Sequence, residues 1–351
     1  MKVQEIRTPA LLVDLEAMES NLHRMADFFR DKPAKLRPHF KNHKAPMLAW
    51  KQLEAGAIGI TCATMREAEI LVQHGVRSIL VANEIATQEK IQWLADLSHH
   101  ADVMVAVDDE RVVSDMACVA RTKHAQLSVL VDINVGLNRC GVPPGEPACA
   151  LAKSVVEKGL RLRGIMGYEG HLQALQPGEE RDRLVHLVGK SLIDSKELIE
   201  AAGIPVEIVS TAGTGTHNVA GAYPGVTEIQ AGSYLLMDTM YVNRGSTFQR
   251  SLTVLATVIS RPEPGRAVID CGIKELSAER GLSTVKGLEG IALKALHAEH
   301  GLLELRDSAA RVRVGQKIEL WVHYSDATVN LHGQMYGVRN GEVEEVLTIE
   351  H

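Results

Sequence analysis

Long apolar runs, basic blocks and paired cysteines are all missing from this sequence of 351 residues. No run approaches the ~18 consecutive apolar residues that a membrane span requires. Charged residues interrupt the N-terminal stretch MKVQEIRTPALLVDLE, which is not the pattern of a secretory signal. The formal net charge of -6 is spread along the chain, and no basic block could neutralise several phosphates. We therefore expect a cytoplasmic protein that binds neither a membrane nor a nucleic acid.

The cysteines disfavour two further classes of protein. Their number is odd, and no CxxC pair occurs among them. A disulfide framework and a structural zinc site are both unexpected for this pattern, and we expect most of the cysteines to be small core residues. They are Cys62, Cys118, Cys140, Cys149 and Cys271.

Between residues 34 and 232, short runs rich in β-branched residues alternate with longer helical patterns. This order is typical of βα units around a parallel sheet. The predicted strands are Ala34–Phe40, Gly59–Cys62, Ser78–Asn83, Asp102–Val107, Gln126–Asp132, Leu162–Tyr168, Glu207–Ser210 and Thr227–Ala231. The predicted helices include Met65–His74, Gln88–Leu97, Pro147–Lys158 and Arg181–Ala202. Eight such strands favour an α/β fold of the (β/α)8 TIM-barrel type over an open doubly wound sheet.

The segments on either side of this region have different patterns. Before it, apolar residues recur at helical spacing and predict a helix with one apolar face; they are Leu15, Met18, Leu22, Met25 and Phe29. After Asp238 long β-type runs predict a second, mostly antiparallel β domain, with a tight turn at Asn340-Gly341. Those runs are Leu252–Arg261, Ala267–Cys271, Lys317–Tyr324 and Tyr336–Ile349. We expect a barrel over residues 12–240 and a β domain formed by residues 1–11 and 241–351.

The loop after the first predicted strand carries a lysine suited to covalent chemistry. Active sites of barrels of this type lie at the C-terminal ends of the strands, and Lys41 follows the first strand directly. Most lysines are solvated surface residues, but an amine at an apolar barrel mouth can act as the nucleophile that forms a Schiff base. Lys44 lies three residues later and is the weaker candidate.

Two glycine-containing turns follow the seventh and eighth predicted strands. Their backbone N–H groups are unshielded by side chains, and neighbouring hydroxyls add donors, an arrangement that suits a phosphate. Barrels often hold phosphate between these two loops. The candidate residues are Ser210, Thr211, Gly213, Thr214, Gly215, Gly232 and Ser233. A lysine and a phosphate site on neighbouring strands together indicate an aldehyde-phosphate cofactor, pyridoxal 5'-phosphate (PLP).

At these residues the chain resembles the D-threonine aldolase/D-serine dehydratase family, a branch of the alanine-racemase-type PLP enzymes. The most specific matches are Pro38–Lys44 (PHFKNHK), Arg139–Val142 (RCGV), Ser210–Gly215, Gln230–Asp238 (QAGSYLLMD) and Asp270–Lys274 (DCGIK). The resemblance implies that Lys41 carries the cofactor, that Arg139 lies near its phenolic oxygen and that Tyr168 lines it. Gln230 falls where alanine racemases place an arginine facing the pyridine nitrogen, and Tyr234 is a further candidate in the same motif.

The resemblance also implies a lyase that acts on D-3-hydroxy amino acids, by retro-aldol cleavage to glycine and an aldehyde or by loss of water and ammonia. It implies a divalent metal (Mn, Mg or Zn) against the substrate's 3-hydroxyl, held by a histidine and a cysteine or aspartate two residues apart. Here Asp326 aligns with the family's aspartate, and Tyr324 stands at the histidine position. If the stretch is extended, His323 points to the opposite face from both. A pair of His323 and Asp326 requires a loop that turns His323 inward.

This departure leaves three hypotheses. The first is the lyase. The second is a metal-independent racemase or epimerase of the same fold, in which Tyr324 is the acid/base partner of Lys41. The third is a non-catalytic PLP-binding protein, which the additional β domain disfavours. By the same resemblance we expect a homodimer that binds a small amino-acid substrate.

Overall fold

A computed structural model of the chain describes residues 1–306 and 312–351. The chain forms two compact units. The barrel unit consists of Arg24–Lys41 and Pro46–Gly232, and the β unit consists of Met1–His23, Asn42–Ala45 and Ser233–His351. None of the helices in the described ranges combines the length and apolar character needed to cross a membrane.

Strand β1 (Ala10–Asp14) is followed directly by helix α1 (Leu15–Phe29). The five apolar residues that predicted one face of this helix are all buried, and none is more than 8% exposed. The sequence prediction of a helix with one apolar face is therefore confirmed.

Eight parallel strands form the barrel unit, all of whose residues the structure describes. They are β2 (Lys35–Leu36), β3 (Ile60–Cys62), β4 (Ser78–Glu84), β5 (Asp102–Val107), β6 (Ser128–Asp132), β7 (Arg161–Gly167), β8 (Ile208–Thr211) and β9 (Glu228–Ile229). Their order is β2-β9-β8-β7-β6-β5-β4-β3, and a parallel bridge between His39 and Thr61 connects the end of β2 to β3. The fold class predicted from the sequence, a TIM-type parallel barrel with a second antiparallel domain, is confirmed.

The helices of the barrel unit lie between these strands. They are α2 (Pro46–Glu54), α3 (Met65–Gln73), α4 (Gln88–Ser98), α5 (Glu110–Lys123), α6 (Glu146–Glu157), α7 (Glu179–Ala201) and α8 (His217–Ala220). Side-chain caps fix where several of them begin, because the first N–H groups of a helix lack backbone partners. The Thr64 hydroxyl accepts from the N–H of Glu67 at 3.1 Å, and the Glu67 carboxylate accepts from the N–H of Ala63 at 2.7 Å.

Apolar side chains from alternate positions of the strands form the core of the barrel. They are Leu80, Met104, Ala106, Leu130, Met166 and Ile208. A buried ion pair joins β9 to the residue that follows β2: Arg37 Nη2 lies 2.7 Å from Glu228 Oε1, and both side chains are 4% exposed. Because each charge is satisfied by the other in a desolvated setting, loss of either partner leaves an uncompensated buried charge. Of the predicted core cysteines, Cys62, Cys149 and Cys271 are buried.

The described part of the β unit is built on a mostly antiparallel sheet. Its later strands are β10 (Leu252–Glu263), β11 (Arg266–Ile269), β12 (Thr284–Val285), β13 (Ile291–Leu296), β14 (Gly301–Leu305), β15 (Lys317–Trp321), β16 (Gln334–Arg339) and β17 (Glu342–Thr348). Two short helices accompany them, α9 (Thr239–Asn243) and α10 (Ser325–Val329). Strand β1 pairs antiparallel with β10 and parallel with β16. Asn340 and Gly341 connect β16 to β17 with φ angles of 51° and 78°, which confirms the predicted tight turn.

Candidate active site

Lys41 lies directly after β2, in a single 3-10 turn (Phe40–Asn42), and its side chain is half-buried. Strand β2 pairs with β9, so the loops that follow these two strands are neighbours in the barrel unit. A Cβ atom at Gly232 would lie 2.7 Å from the carbonyl oxygen of His39. Only glycine permits this approach, and it brings the turn after β9 against the segment that carries Lys41.

The turn after β8 lies next to the turn after β9, because β8 and β9 are paired parallel strands. Ser210, Thr211 and Thr214 are all at most 4% exposed. A Cβ atom at Gly213 would lie 3.1 Å from the side-chain amide of Gln173, and one at Gly215 would lie 2.8 Å from its Oε1 atom. These glycines let the backbone of the turn approach Gln173 closely, and a glycine-containing turn has backbone N–H groups that can bind a phosphate.

The neighbours of this turn come from the segment after β7. Glu169 is fully buried, and its Oε2 atom accepts from the Thr211 hydroxyl and from the N–H of Ala212, each at 3.1 Å. Its Oε1 atom accepts from the Thr216 hydroxyl at 2.5 Å and from the Gln173 amide at 3.3 Å. Burial raises the pKa of Glu169, and the hydrogen bonds from Thr216, Thr211 and Ala212 oppose that rise. Sequence reasoning assigned no role to Glu169 or Gln173, although Glu169 directly follows the predicted Tyr168.

Histidine 217 follows the turn and belongs to the same unit. Burial lowers the pKa of His217 to about 4, and its Nδ1 atom lies 2.7 Å from the carbonyl oxygen of Thr214. A neutral imidazole whose Nδ1 carries the hydrogen can donate to that carbonyl. His217 therefore contributes a hydrogen bond to the turn and no positive charge.

Three further predicted residues, Arg139, Tyr168 and Gln230, follow β6, β7 and β9 of the barrel. The guanidinium carbon of Arg139 is 5.6 Å from the centre of the Tyr168 ring. Gln230 follows β9, and its Nε2 atom donates to the Ser210 hydroxyl at 3.0 Å. The predicted cofactor residues of the barrel unit thus follow five consecutive strands of the ring, in the order β6-β7-β8-β9-β2.

An acidic cluster that the sequence analysis missed follows β4, β5 and β6. Glu84, Asp108 and Cys140 each offer an atom of the kind that binds metals, and these atoms lie within 4.8 Å of one another; within residues 1–306 and 312–351 this is the one such group of three. Burial, followed by the charges of Glu84 and Asp108, raises the pKa of the adjacent Asp132 to about 8, and the charge of Arg139 opposes the rise. The cluster therefore retains a proton near neutral pH.

Other predicted residues belong to the β unit. Tyr234 is fully buried and packs on Phe248, with 5.8 Å between the ring centres, while Ser233 is half-buried. Tyr324 is the residue that precedes α10, and burial followed by the charge of Asp326 raises its pKa to about 12. Tyr324 is therefore a protonated phenol at neutral pH.

The stretch from Tyr324 to Asp326 is not extended throughout, so the condition under which Tyr324 and Asp326 share one face does not hold. Asp326 lies in the first turn of α10, so the alternation of faces expected for a strand does not apply to it. The ring of His323 lies next to Gly281, where a Cβ atom would be 2.8 Å from its Nε2 atom. The backbone N–H of His323 donates to the Ser283 hydroxyl at 3.2 Å.

The surroundings of Asp326 are rich in oxygen. The Asn42 Nδ2 atom donates to Asp326 Oδ1 at 2.6 Å and to the Ser325 hydroxyl at 2.8 Å. The other side-chain atom of Asn42, Oδ1, is buried and has no hydrogen-bond partner among the described residues. A carboxylate beside an unsatisfied carbonyl oxygen fits a hard, partly hydrated ion such as Mg²⁺ or Mn²⁺ better than Zn²⁺, which prefers histidine and cysteine.

Comparisons with known proteins cover the whole chain. Residues 13–240 match the model of the alanine racemase N-terminal domain, and residues 251–338 match that of a putative serine dehydratase domain. A D-threonine aldolase from Arthrobacter sp is 34% identical over 349 residues, which are 98% of this chain and 92% of the relative.

Two solved structures share the fold over nearly their full lengths. The D-threonine aldolase from Filomicrobium marinum has a TM-score of 0.96 and 35% identity, over 99% of this chain and 96% of that one. The D-threo-3-hydroxyaspartate dehydratase from Delftia sp. HT23 has a TM-score of 0.93 and 28% identity, over 100% of this chain and 99% of that one.

Proposed function

Because the chain belongs to the family of alanine-racemase-type enzymes that contains the D-threonine aldolases and 3-hydroxyaspartate dehydratases, we propose that it is a PLP-dependent lyase of D-3-hydroxy amino acids. The resemblance stated from the sequence motifs is confirmed by these matches. The observation that carries the proposal is the placement of Lys41 beside two glycine turns on adjacent strands of one barrel. A covalent anchor and a phosphate site at this spacing suit PLP.

The candidate residues of the barrel unit have proposed roles in binding the cofactor. Lys41 holds it through the amine, and the turns at Thr211–Gly215 and Gly232 receive its phosphate. Tyr168 lines the cofactor, with Arg139 near its phenolic oxygen. When bound, PLP withdraws electrons from the Cα atom of an amino-acid substrate.

The neutral side chain of Gln230 has its own consequence. Alanine racemases place a positively charged arginine at this position, facing the pyridine nitrogen. The Gln230 amide is fixed by its bond to Ser210 and carries no charge. With glutamine at this position, no positive charge faces the pyridine nitrogen of the cofactor. The capacity of the pyridine ring to accept electrons should therefore differ from that in a racemase.

A divalent ion would be held at Asp326. The support is the carboxylate itself together with the buried, unsatisfied Asn42 Oδ1 beside it. Such an ion would supply a Lewis acid for the substrate's 3-hydroxyl. His323 is the imidazole nearest to Asp326 in sequence and is the proposed second ligand; its ring packs beside Gly281.

The names of the relatives leave two reactions for the same substrate class. Retro-aldol cleavage gives glycine and an aldehyde, whereas dehydration followed by hydrolysis of the resulting imine gives a 2-oxo acid and ammonia, with no net release of water. The higher identity to the D-threonine aldolases supports cleavage as the first choice.

Product analysis tests the proposal. Purified enzyme is incubated with D-threonine, D-serine and D-3-hydroxyaspartate, and products are identified by mass. We expect glycine with an aldehyde, or a 2-oxo acid, and no conversion by Lys41→Ala. Borohydride reduction followed by peptide mapping should label Lys41. Racemised substrate alone would favour the racemase hypothesis, and a label on Lys44 or no label would overturn the assignment of Lys41.

A further inference from the structure

The carboxylate of Glu169 has four hydrogen-bond partners among the described residues, and all four are donors. They are the hydroxyls of Thr211 and Thr216, the backbone N–H of Ala212 and the Gln173 amide. The Thr211 hydroxyl also reaches the carbonyl oxygen of Gly167 at 2.7 Å. An ionised carboxylate accepts at both oxygens and satisfies such a set completely. Hydrogen bonds to an ionised group are also stronger than those between neutral groups.

A glutamine at position 169 could not replace this carboxylate. Its NH2 group would face either the N–H of Ala212 or the amide of Gln173. The N–H of Ala212 is a fixed donor, and Gln173 cannot rotate its amide because its Oε1 atom already accepts from the N–H of Gly215 at 2.8 Å. In either orientation one donor would face another, and a buried unsatisfied donor is costly.

The backbone at this point holds an uncommon conformation. Ala212 has a φ of 66°, in the left-handed region that residues other than glycine rarely adopt. The N–H of Ala212 donates the backbone hydrogen bond to Glu169. Strained residues persist where the surroundings over-determine them, and here Glu169 and Gln173 bind the turn at Ala212 and Gly215, on both sides of Gly213 and Thr214.

We propose that Glu169, assisted by Gln173, is a positioning residue that holds the turn of residues 211–216 in the shape that receives the cofactor's phosphate. It acts through the turn and does not contact the phosphate itself. The proposal rests on the PLP assignment above. The turn binds the phosphate and Lys41 binds the aldehyde. Loss of the Glu169 carboxylate should therefore weaken the binding of PLP much more than the binding of pyridoxal, which lacks the phosphate.

Ligand titration separates these two contributions. Apoenzyme of wild type and Glu169→Gln is titrated with PLP, with pyridoxal, and with inorganic phosphate as a competitor, and binding is followed by absorbance. We expect Kd for PLP to rise about 10- to 100-fold, the effect of one unsatisfied buried donor. Kd for pyridoxal should change little, and phosphate should compete less well.

The matched control is Glu67→Gln, which removes a buried carboxylate that accepts a backbone N–H in the same barrel, at the end of β3. It should leave the ratio of the two Kd values as in wild type. An equal loss of PLP and pyridoxal binding by Glu169→Gln, or no loss of either, would overturn the proposal. Failure of wild type to bind PLP at all would instead refute the proposed function.

If Glu169→Gln does not fold, Gln173→Leu decides the matter. This variant removes the acceptor for the N–H of Gly215 and keeps Glu169. It should show the same preferential loss of PLP over pyridoxal. An unchanged ratio of Kd values in Gln173→Leu would overturn the inference.

Discussion

Replacing Asp132 with asparagine should make the protein's stability less dependent on pH between 6 and 8. Asp132 is 5% exposed at the end of β6, and its pKa is raised from 3.8 to about 8 by burial and then by the charges of Glu84 and Asp108. Between these two pKa values the folded protein keeps a proton that the unfolded chain has released. The stabilisation is therefore fully present below the unfolded pKa and is lost as the pH rises through the folded pKa.

The size of the effect follows from the shift. One proton held in the folded state alone changes the free energy of unfolding by up to about 1.4 kcal/mol per pH unit. Between pH 6 and pH 8 the wild-type protein should lose about 2 kcal/mol from this group, since the slope falls as the pH approaches the folded pKa. The asparagine variant has no proton to lose, so its stability relative to wild type should rise by that amount over the same interval.

Urea unfolding of the holoenzyme at pH 6, 7 and 8, followed by fluorescence, measures the difference. Asp115→Asn is the matched control, because Asp115 is exposed on α5 and the same chemical change there should give a difference from wild type that is constant with pH. The difference in free energy of unfolding between Asp132→Asn and wild type is compared at each pH. If this difference stays constant from pH 6 to pH 8, or if wild type becomes more stable relative to the variant as the pH rises, the proposed protonation of the cluster is refuted.

Three further predictions concern the ion pair, the metal and the assembly. Arg37→Met should destabilise the protein by about 3–5 kcal/mol in urea unfolding, because it leaves the Glu228 carboxylate buried and unpaired; a double variant that also carries Glu228→Gln should recover much of the loss, and no recovery would contradict the pairing argument. If Asp326 binds a divalent ion, Asp326→Ala should lose both the ion, measured by elemental analysis, and the activity. Wild-type enzyme that is fully active without the ion and resistant to chelator would instead favour Tyr324 as the acid/base group. In that case Tyr324→Phe should lower turnover ~10²–10⁴-fold, and His323→Ala should change turnover little. Light scattering should give the mass of a homodimer, and a fully active monomer at working concentration would contradict this expectation.

The sequence alone was sufficient for the barrel strands. Their apolar β-branched runs are short, separated by helical patterns, and close in position to the observed strands, as in Asp102–Val107. A strand buried on both faces must be apolar throughout, and that requirement is visible without the fold. The lysine directly after the first strand and the glycine turns after the last two are equally visible, because the barrel architecture dictates which loops can carry a site.

The β unit was less predictable. The sequence indicated β10, β11, β15 and the last hairpin, but β12, β13 and β14 were missed. Only one residue of β13, Leu293, is buried, and in β14 buried residues alternate with partly exposed ones. The strand predicted to run from Lys317 to Tyr324 ends at Trp321, and α10 begins at Ser325. A bond from the Asp238 carboxylate to the N–H of Ser325 at 2.9 Å stabilises that helix start, and this partner lies far away in sequence.

Only the tertiary structure brought together the groups that set the chemistry of the barrel mouth. Glu84, Asp108 and Asp132 end or follow three different strands, and nothing in their separate surroundings in the sequence indicates that the first two carboxylates raise the pKa of the third. Glu169 meets the turn after β8 because β7 and β8 are adjacent in the ring. Charge effects of this kind and hydrogen bonds act over a few ångströms, so they depend on which strands are neighbours, and strand order is a property of the closed barrel rather than of any local segment.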